Sequence, residues 1–141
     1  MKRKTAFLIC LLACLAVAVP IVAQQRAAAP AAAADPVSGT WTGDWGPSAN
    51  DRNQVTVDLK WDGKSALTGT VKSTQPARAD VALQKSTFTA ASNSIHMEAE
   101  SPAARGGGTV HFIIDGKLSG NTMTGSWNHD NVKGDFKLTK K

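Results

Sequence analysis

The chain contains no tyrosine, and its only two cysteines, Cys10 and Cys14, fall within the first fourteen residues. The remaining sequence therefore offers no disulfide, no thiolate metal site and no cysteine nucleophile, so burial alone must stabilise the fold. Catalytic signatures are missing as well. There is no Gly-x-Ser-x-Gly elbow and no His-Glu-x-x-His pair, and the acidic side chains alternate outward or sit in turns. Arg105-Gly106-Gly107-Gly108 lacks the Lys-Ser/Thr and the following helix that a phosphate loop requires. The lysines are spread singly, with no basic block interleaved with aromatics, which removes the footprint of nucleic-acid binding. No enzyme, metal or cofactor is expected from these residues.

The sequence opens with a patterned leader. Lys2, Arg3 and Lys4 precede an apolar run from Ala6 to Val19, then Pro20 and the small-residue stretch Ile21-Val22-Ala23. This order matches a secretory signal peptide over 1–23, and the run is short and proline-ended for a membrane span. The expected localisation is periplasmic or extracellular. Cleavage after Ala23 leaves 118 residues and removes both cysteines. It also removes three of the sixteen basic side chains, so thirteen remain against eleven acidic ones and most of the formal +5 disappears. Residues 24–36 are alanine- and proline-rich with no apolar stripe to bury, which reads as a disordered linker.

From Val37 onward the apolar residues recur at every second position, the period of a half-buried strand. Trp41 and Trp45 share one face of a first strand with Gly43 between them, leaving room for a bulky neighbour to cross. After a loop over Gly46-Pro47-Ser48-Ala49-Asn50-Asp51, Val55, Val57, Leu59 and Trp61 alternate with polar residues, Asp62-Gly63-Lys64 forms a tight turn, and Leu67, Gly69 and Val71 return. Val81, Leu83 and Phe88 follow, then Ile95, Met97 and Ala99, with His96, Glu98 and Glu100 facing out. Ser101 to Gly108 reads as the longest polar loop. Val110, Phe112 and Ile114 are expected to face inward, with Asp115-Gly116 marking a bulge or the strand's end. Met123, Gly125 and Trp127 come next, and Phe136 and Leu138 close the pattern. About eight short strands on short loops predict an all-β, eight-stranded antiparallel up-and-down barrel over 37–141, because closure hides the apolar face and leaves no edge. A two-sheet sandwich is the alternative, and pairing of the first strand with the last decides between them.

Gly39-Thr40-Trp41 resembles the Gly-x-Trp signature of the calycin superfamily: lipocalins, fatty-acid-binding proteins and avidins. Through Gly46 and Asp62-Gly63-Lys64-Ser65-Ala66-Leu67-Thr68-Gly69-Thr70, residues 39 to 73 look like the first three strands of a streptavidin-type chain. The resemblance implies that Trp41 plugs one end of the barrel. Several positions depart from it. Gly43 stands where avidins carry a biotin-binding asparagine and Val71 where they place a tyrosine, and only Ser73 falls at an avidin serine. These departures argue against biotin, whose ureido group would lack partners. Lipocalins stack a C-terminal arginine on the signature tryptophan; here Lys133, Lys137, Lys140 and Lys141 are the only candidates. Taken whole, the chain resembles small secreted bacterial lipocalin-like domains.

The expected function is that of a non-enzymatic exported barrel holding a small apolar or aromatic ligand, with Trp45, Trp61, Phe112 and Trp127 lining the site. Gly39 and Trp41 form the structural signature. The alternative is an envelope interaction module with a filled core, contacting a protein or glycan through its outer strands and loops. His96, Glu98 and His111 are expected to meet on an outer face as a solvated ion-pair group.

Overall fold

The alternation seen in the sequence is realised as strand throughout. The computed structural model describes residues 35–75, 78–103 and 107–141; the leader, most of the linker and part of the polar 101–108 connection lie outside the described residues. Among the described residues there are nine strands: β1 (Gly39–Ser48), β2 (Asp51–Trp61), β3 (Ala66–Gln75), β4 (Val81–Ala82), β5 (Ser86–Thr89), β6 (Ser94–Pro102), β7 (Thr109–Ser119), β8 (Thr122–His129) and β9 (Val132–Lys140). β4 and β5 both pair with β3, β4 at Val71↔Val81 and β5 at Leu67↔Ser86, so together they form one interrupted staff of the wall. Every other neighbour in sequence is a neighbour in space and antiparallel, and β1 pairs with β9 from Trp41↔Lys140 to Gly46↔Asp135. The first-to-last pairing excludes the sandwich. The result is a closed eight-stranded antiparallel barrel, and among the described residues no helix is long and apolar enough to cross a membrane.

Turn chemistry sets the register. Asp62 Oδ1 accepts hydrogen bonds from the backbone N–H groups of Lys64, Ser65 and Ala66 at 2.8, 2.9 and 3.0 Å while Gly63 takes φ 82°. The three backbone donors, that of Lys64 foremost, hold the Asp62 carboxyl below its ordinary pKa. The first connection is shorter than expected: β1 continues through Pro47 to Ser48, which pairs with Asp51, leaving a two-residue turn where a six-residue loop was expected.

One end of the barrel is packed solid. Trp41 is fully buried, and its indole Nε1 donates to the Val37 carbonyl at 2.8 Å. Val37 is equally buried because the segment before β1 is tied down from several sides. Asp35 Oδ1 accepts from the N–H of Val37 and Ser38, Ser38 Oγ accepts from Trp61 N at 2.7 Å, and Lys140 Nζ donates to the Pro36 carbonyl at 3.2 Å. Asp35 and Pro36, placed in the linker by composition, therefore contact the barrel. Lys140 Nζ also lies 5.7 Å from the Trp41 ring centroid, so the stack that the calycin resemblance assigns to arginine is made here by lysine. Leu67, Phe88, Ile95 and Met123 complete this floor, each at most 2% exposed.

The glycines act mainly by backbone approach. A Cβ on Gly43 would strike the Lys137 carbonyl and the Leu138 backbone of β9, so the room expected there for a bulky side chain is used by the neighbouring strand itself. Side chains do cross at Gly116, where a Cβ would come within 2.8 Å of the Phe136 ring. Gly116 therefore does not end its strand: β7 runs on to Ser119, and Gly116 pairs with Gly125 beneath Phe136.

Outside the wall, Arg52 on β2 bridges Asp44 on β1 and Asp135 on β9, with Nε 2.8 Å from Asp44 Oδ1 and Nη1 2.6 Å from Asp135 Oδ1. Burial disfavours the guanidinium charge, but hydrogen bonds to Asp44 and then Asp135 outweigh it and raise the Arg52 pKa. This one side chain spans both ladders of β1, including the closing seam. Two stability predictions follow from this packing. Trp41→Ala should cost about 3–5 kcal/mol by urea unfolding, as loss of a large core aromatic does. Arg52→Gln should cost about 1–2 kcal/mol, since two carboxylates lose a charged donor at a partly exposed site.

Candidate functional site

The other end of the barrel is hollow. Past the layer formed by Val57, Met97 and Leu138 the inward positions enclose a cavity of about 360 Å3. This is at the lower end of ligand-pocket sizes.

Period two in each strand explains which residues reach the cavity. On β1 the phase that buries Trp41 brings Trp45 to the mouth, and on β8 the phase of Met123 brings Trp127 and then His129. β7 contributes Val110, Phe112 and Ile114. Four of these rings form one wall. Trp45 stands edge-on to Trp127 with centroids 4.8 Å apart and to Phe112 at 5.9 Å. His129 stacks on Trp127 at 5.7 Å with planes 11° apart, and meets Phe112 at 4.7 Å. Trp127 lies against Gly134, directly across in the register, where a Cβ would come within 2.7 Å of the indole; its Nε1 donates to the Asp135 carbonyl at 3.2 Å. Trp45 Nε1 is buried with no hydrogen-bond acceptor.

Opposite the rings the lining changes character. β2 and β3 supply Val55 and Val71, with Asn53 and Ser73 toward the rim, and Arg78 and Ala79 follow β3. Ser101 comes from the end of β6. The cavity is thus aromatic on the β1, β7 and β8 side, and aliphatic with polar groups on the other.

Of the four residues expected to line a site, Trp45, Phe112 and Trp127 meet in this wall. Trp61 does not. It stands at the opposite end of β2 with its ring 5.4 Å from Phe88 in edge-to-face contact, because the eleven-residue strand carries it past the core to the closed floor. Gly39 and Trp41 belong to that floor as well. His129 and the polar side were missed. His129 shares the phase of Trp127, a signal obscured by the adjacent Asp130-Asn131 turn, whereas Arg78 lies in a part of the sequence that carries no apolar alternation. Compared with family models, curated proteins and solved structures, the chain matches none.

On the outer face of β6 and β7 the titratable residues assemble as expected. His96 Nδ1 lies 2.7 Å from Asp115 Oδ1 and its Nε2 3.5 Å from Glu98, and His111 Nε2 reaches the other Glu98 oxygen at 3.2 Å. Among the described residues no group of three or more His, Cys, Asp or Glu is arranged to hold a metal ion. The hydrogen bond to Asp115, reinforced by Glu98 and opposed by partial burial, raises the His96 pKa above 6.5. A raised folded-state value means that protonated His96 stabilises the barrel fully below the unfolded value, and that this contribution is lost as pH rises through the folded value. The melting temperature should therefore carry a component that falls above about pH 6.5, amounting to about 1–4 °C for a solvent-screened group. Comparing melting curves of the wild type and Asp115→Asn across pH 5–9 tests this, and a slope unchanged by the substitution contradicts it.

Proposed function

We propose that this chain is an exported, non-enzymatic barrel of calycin-like design that carries one small aromatic or apolar molecule in its open end. The observation that carries the reading is the asymmetry of the interior: Trp41 and its neighbours fill one end, while the other keeps a cavity of about 360 Å3 walled by Trp45, Phe112 and Trp127. A fold stabilised by burial alone gains from filling its centre, since each lining atom without a neighbour forfeits dispersion contacts. A vacancy with large aromatics along one wall is a feature that binding explains and stability does not. Indole and phenyl faces favour flat, apolar partners through offset and edge contacts.

The Gly39-Thr40-Trp41 start, the plugged floor and the Lys140 stack support the calycin comparison. The leader of residues 1–23 supports export to a periplasmic or extracellular space. A filled-core interaction module has less support, because the aromatic wall of the mouth does not reach the opposite wall and a cavity of about 360 Å3 lies between them.

The test uses the indole N–H resonances, which the chain's four tryptophans report separately. Titration with 2-naphthol, a neutral flat probe, should shift the signals of Trp45 and Trp127 and leave those of Trp41 and Trp61 in place. Val71→Phe, which narrows the cavity from the opposite wall, should weaken binding at least about tenfold, a loss of about 1.4 kcal/mol, while the fold is retained by circular dichroism. Absence of any shift, or equal shifts in all four indoles, overturns the reading.

A further inference from the structure

The cavity has a charge polarity that its aromatic content does not require. Among the described residues its lining includes no carboxylate and one permanently charged side chain, Arg78, at the rim across from the rings. The nearby acids are committed elsewhere: Asp44 and Asp135 hold Arg52, and Asp130 Oδ2 lies 3.3 Å from His129 Nδ1. Lys72 is paired with Asp58 at 3.1 Å, and Asp80, two residues from Arg78, makes no ion pair among the described residues. Among the described residues no carboxylate comes within ion-pair distance of Arg78, while its backbone N–H donates to the Ser73 carbonyl at 3.3 Å and fixes where the side chain originates. Asn53 and Ser73 line the same side.

A molecule lying with one face on Trp45 and Trp127 thus has its far edge toward a guanidinium and two small polar side chains. We infer that the ligand is a small planar aromatic carboxylate, its ring against the β1–β7–β8 wall and its carboxylate paired with Arg78 at the mouth. Guanidinium matches carboxylate in shape and charge, and the pairing leaves the anion at the wet rim, where its desolvation is least. The buried end of such a ligand needs no polar partner, and the inner walls, Val55, Val57, Met97 and Leu138 among them, provide none. This inference rests on the ligand-binding reading above and goes beyond it in naming the ligand's charged group.

Calorimetric titration of the full chain with 2-naphthoate and with 2-naphthamide, its uncharged isostere, separates the two claims. The carboxylate should bind roughly fivefold more tightly than the amide, the scale of one partly exposed ion pair. Arg78→Gln should remove that difference, so that the variant binds the two probes with equal affinity. The wild type in about 1 M NaCl, where charges are screened beyond about 3 Å, should lose it too, which provides the answer without a variant. Equal affinity of the two probes in the wild type at low salt overturns the carboxylate inference and leaves the binding reading standing. A preference that survives both Arg78→Gln and high salt likewise overturns it. Binding of neither probe overturns both.

Discussion

The pairing of β1 with β9 is the constraint on which the structure depends. Without it the chain is an open sheet with two exposed edges and one apolar face; with it the ladder is continuous and the face becomes an interior. The seam is made possible by small residues. Gly43 and Gly46 on β1 and Gly134 on β9 sit where a Cβ would strike the backbone of a neighbouring strand. It is reinforced at both ends by cations from the flanking strands. Near the mouth Arg52 reaches across β1 to Asp135, and at the floor Lys140 of β9 holds the Pro36 carbonyl beside Trp41. A barrel with no disulfide is thus fastened where its first and last strands meet.

Closure also divides the interior. A strand of about ten residues is longer than one plug residue can fill, so two layers of inward residues are available. The floor layer is saturated by Trp41, Phe88, Met123 and the incoming Val37, all fully buried. The upper layer has residues of comparable size, but Trp45, Phe112 and Trp127 pack against one another along one arc of the wall and do not cross the centre. The space opposite them stays open because Val55, Val57, Val71 and Ala99 are short. Stability is concentrated in the floor, and the mouth keeps the cavity. The outer imidazole–carboxylate group on β6 and β7 lies on the other side of the wall and adds a proton-dependent contribution to the fold.

The strand pattern was legible because most inward positions are apolar and most outward ones polar, and a period of two allows only one choice of face. The register of Ile95, Met97 and Ala99 against Ile114 and Phe112 follows directly. Gly116 was misread because glycine after aspartate ordinarily marks a turn, whereas here it answers to Phe136, two strands away. The first hairpin was misread for the same reason: Gly46-Pro47 reads as loop chemistry, but the approach of Asp51 keeps it in the ladder.

The candidate site was legible in composition and not in position. Tryptophans on strand faces announced aromatic walls, yet nothing in the spacing of Trp61 distinguishes it from Trp45, because height along a barrel depends on the stagger between strands, a property of closure. Arg78 and His129 joined the site through neighbours distant in the chain. By itself the sequence determined strand, face and turn, since these are local consequences of side-chain alternation and backbone preference. Only the tertiary structure decided which end is filled, which rings meet and where Arg78 stands relative to them, since these depend on how far each strand is displaced when the sheet closes on itself.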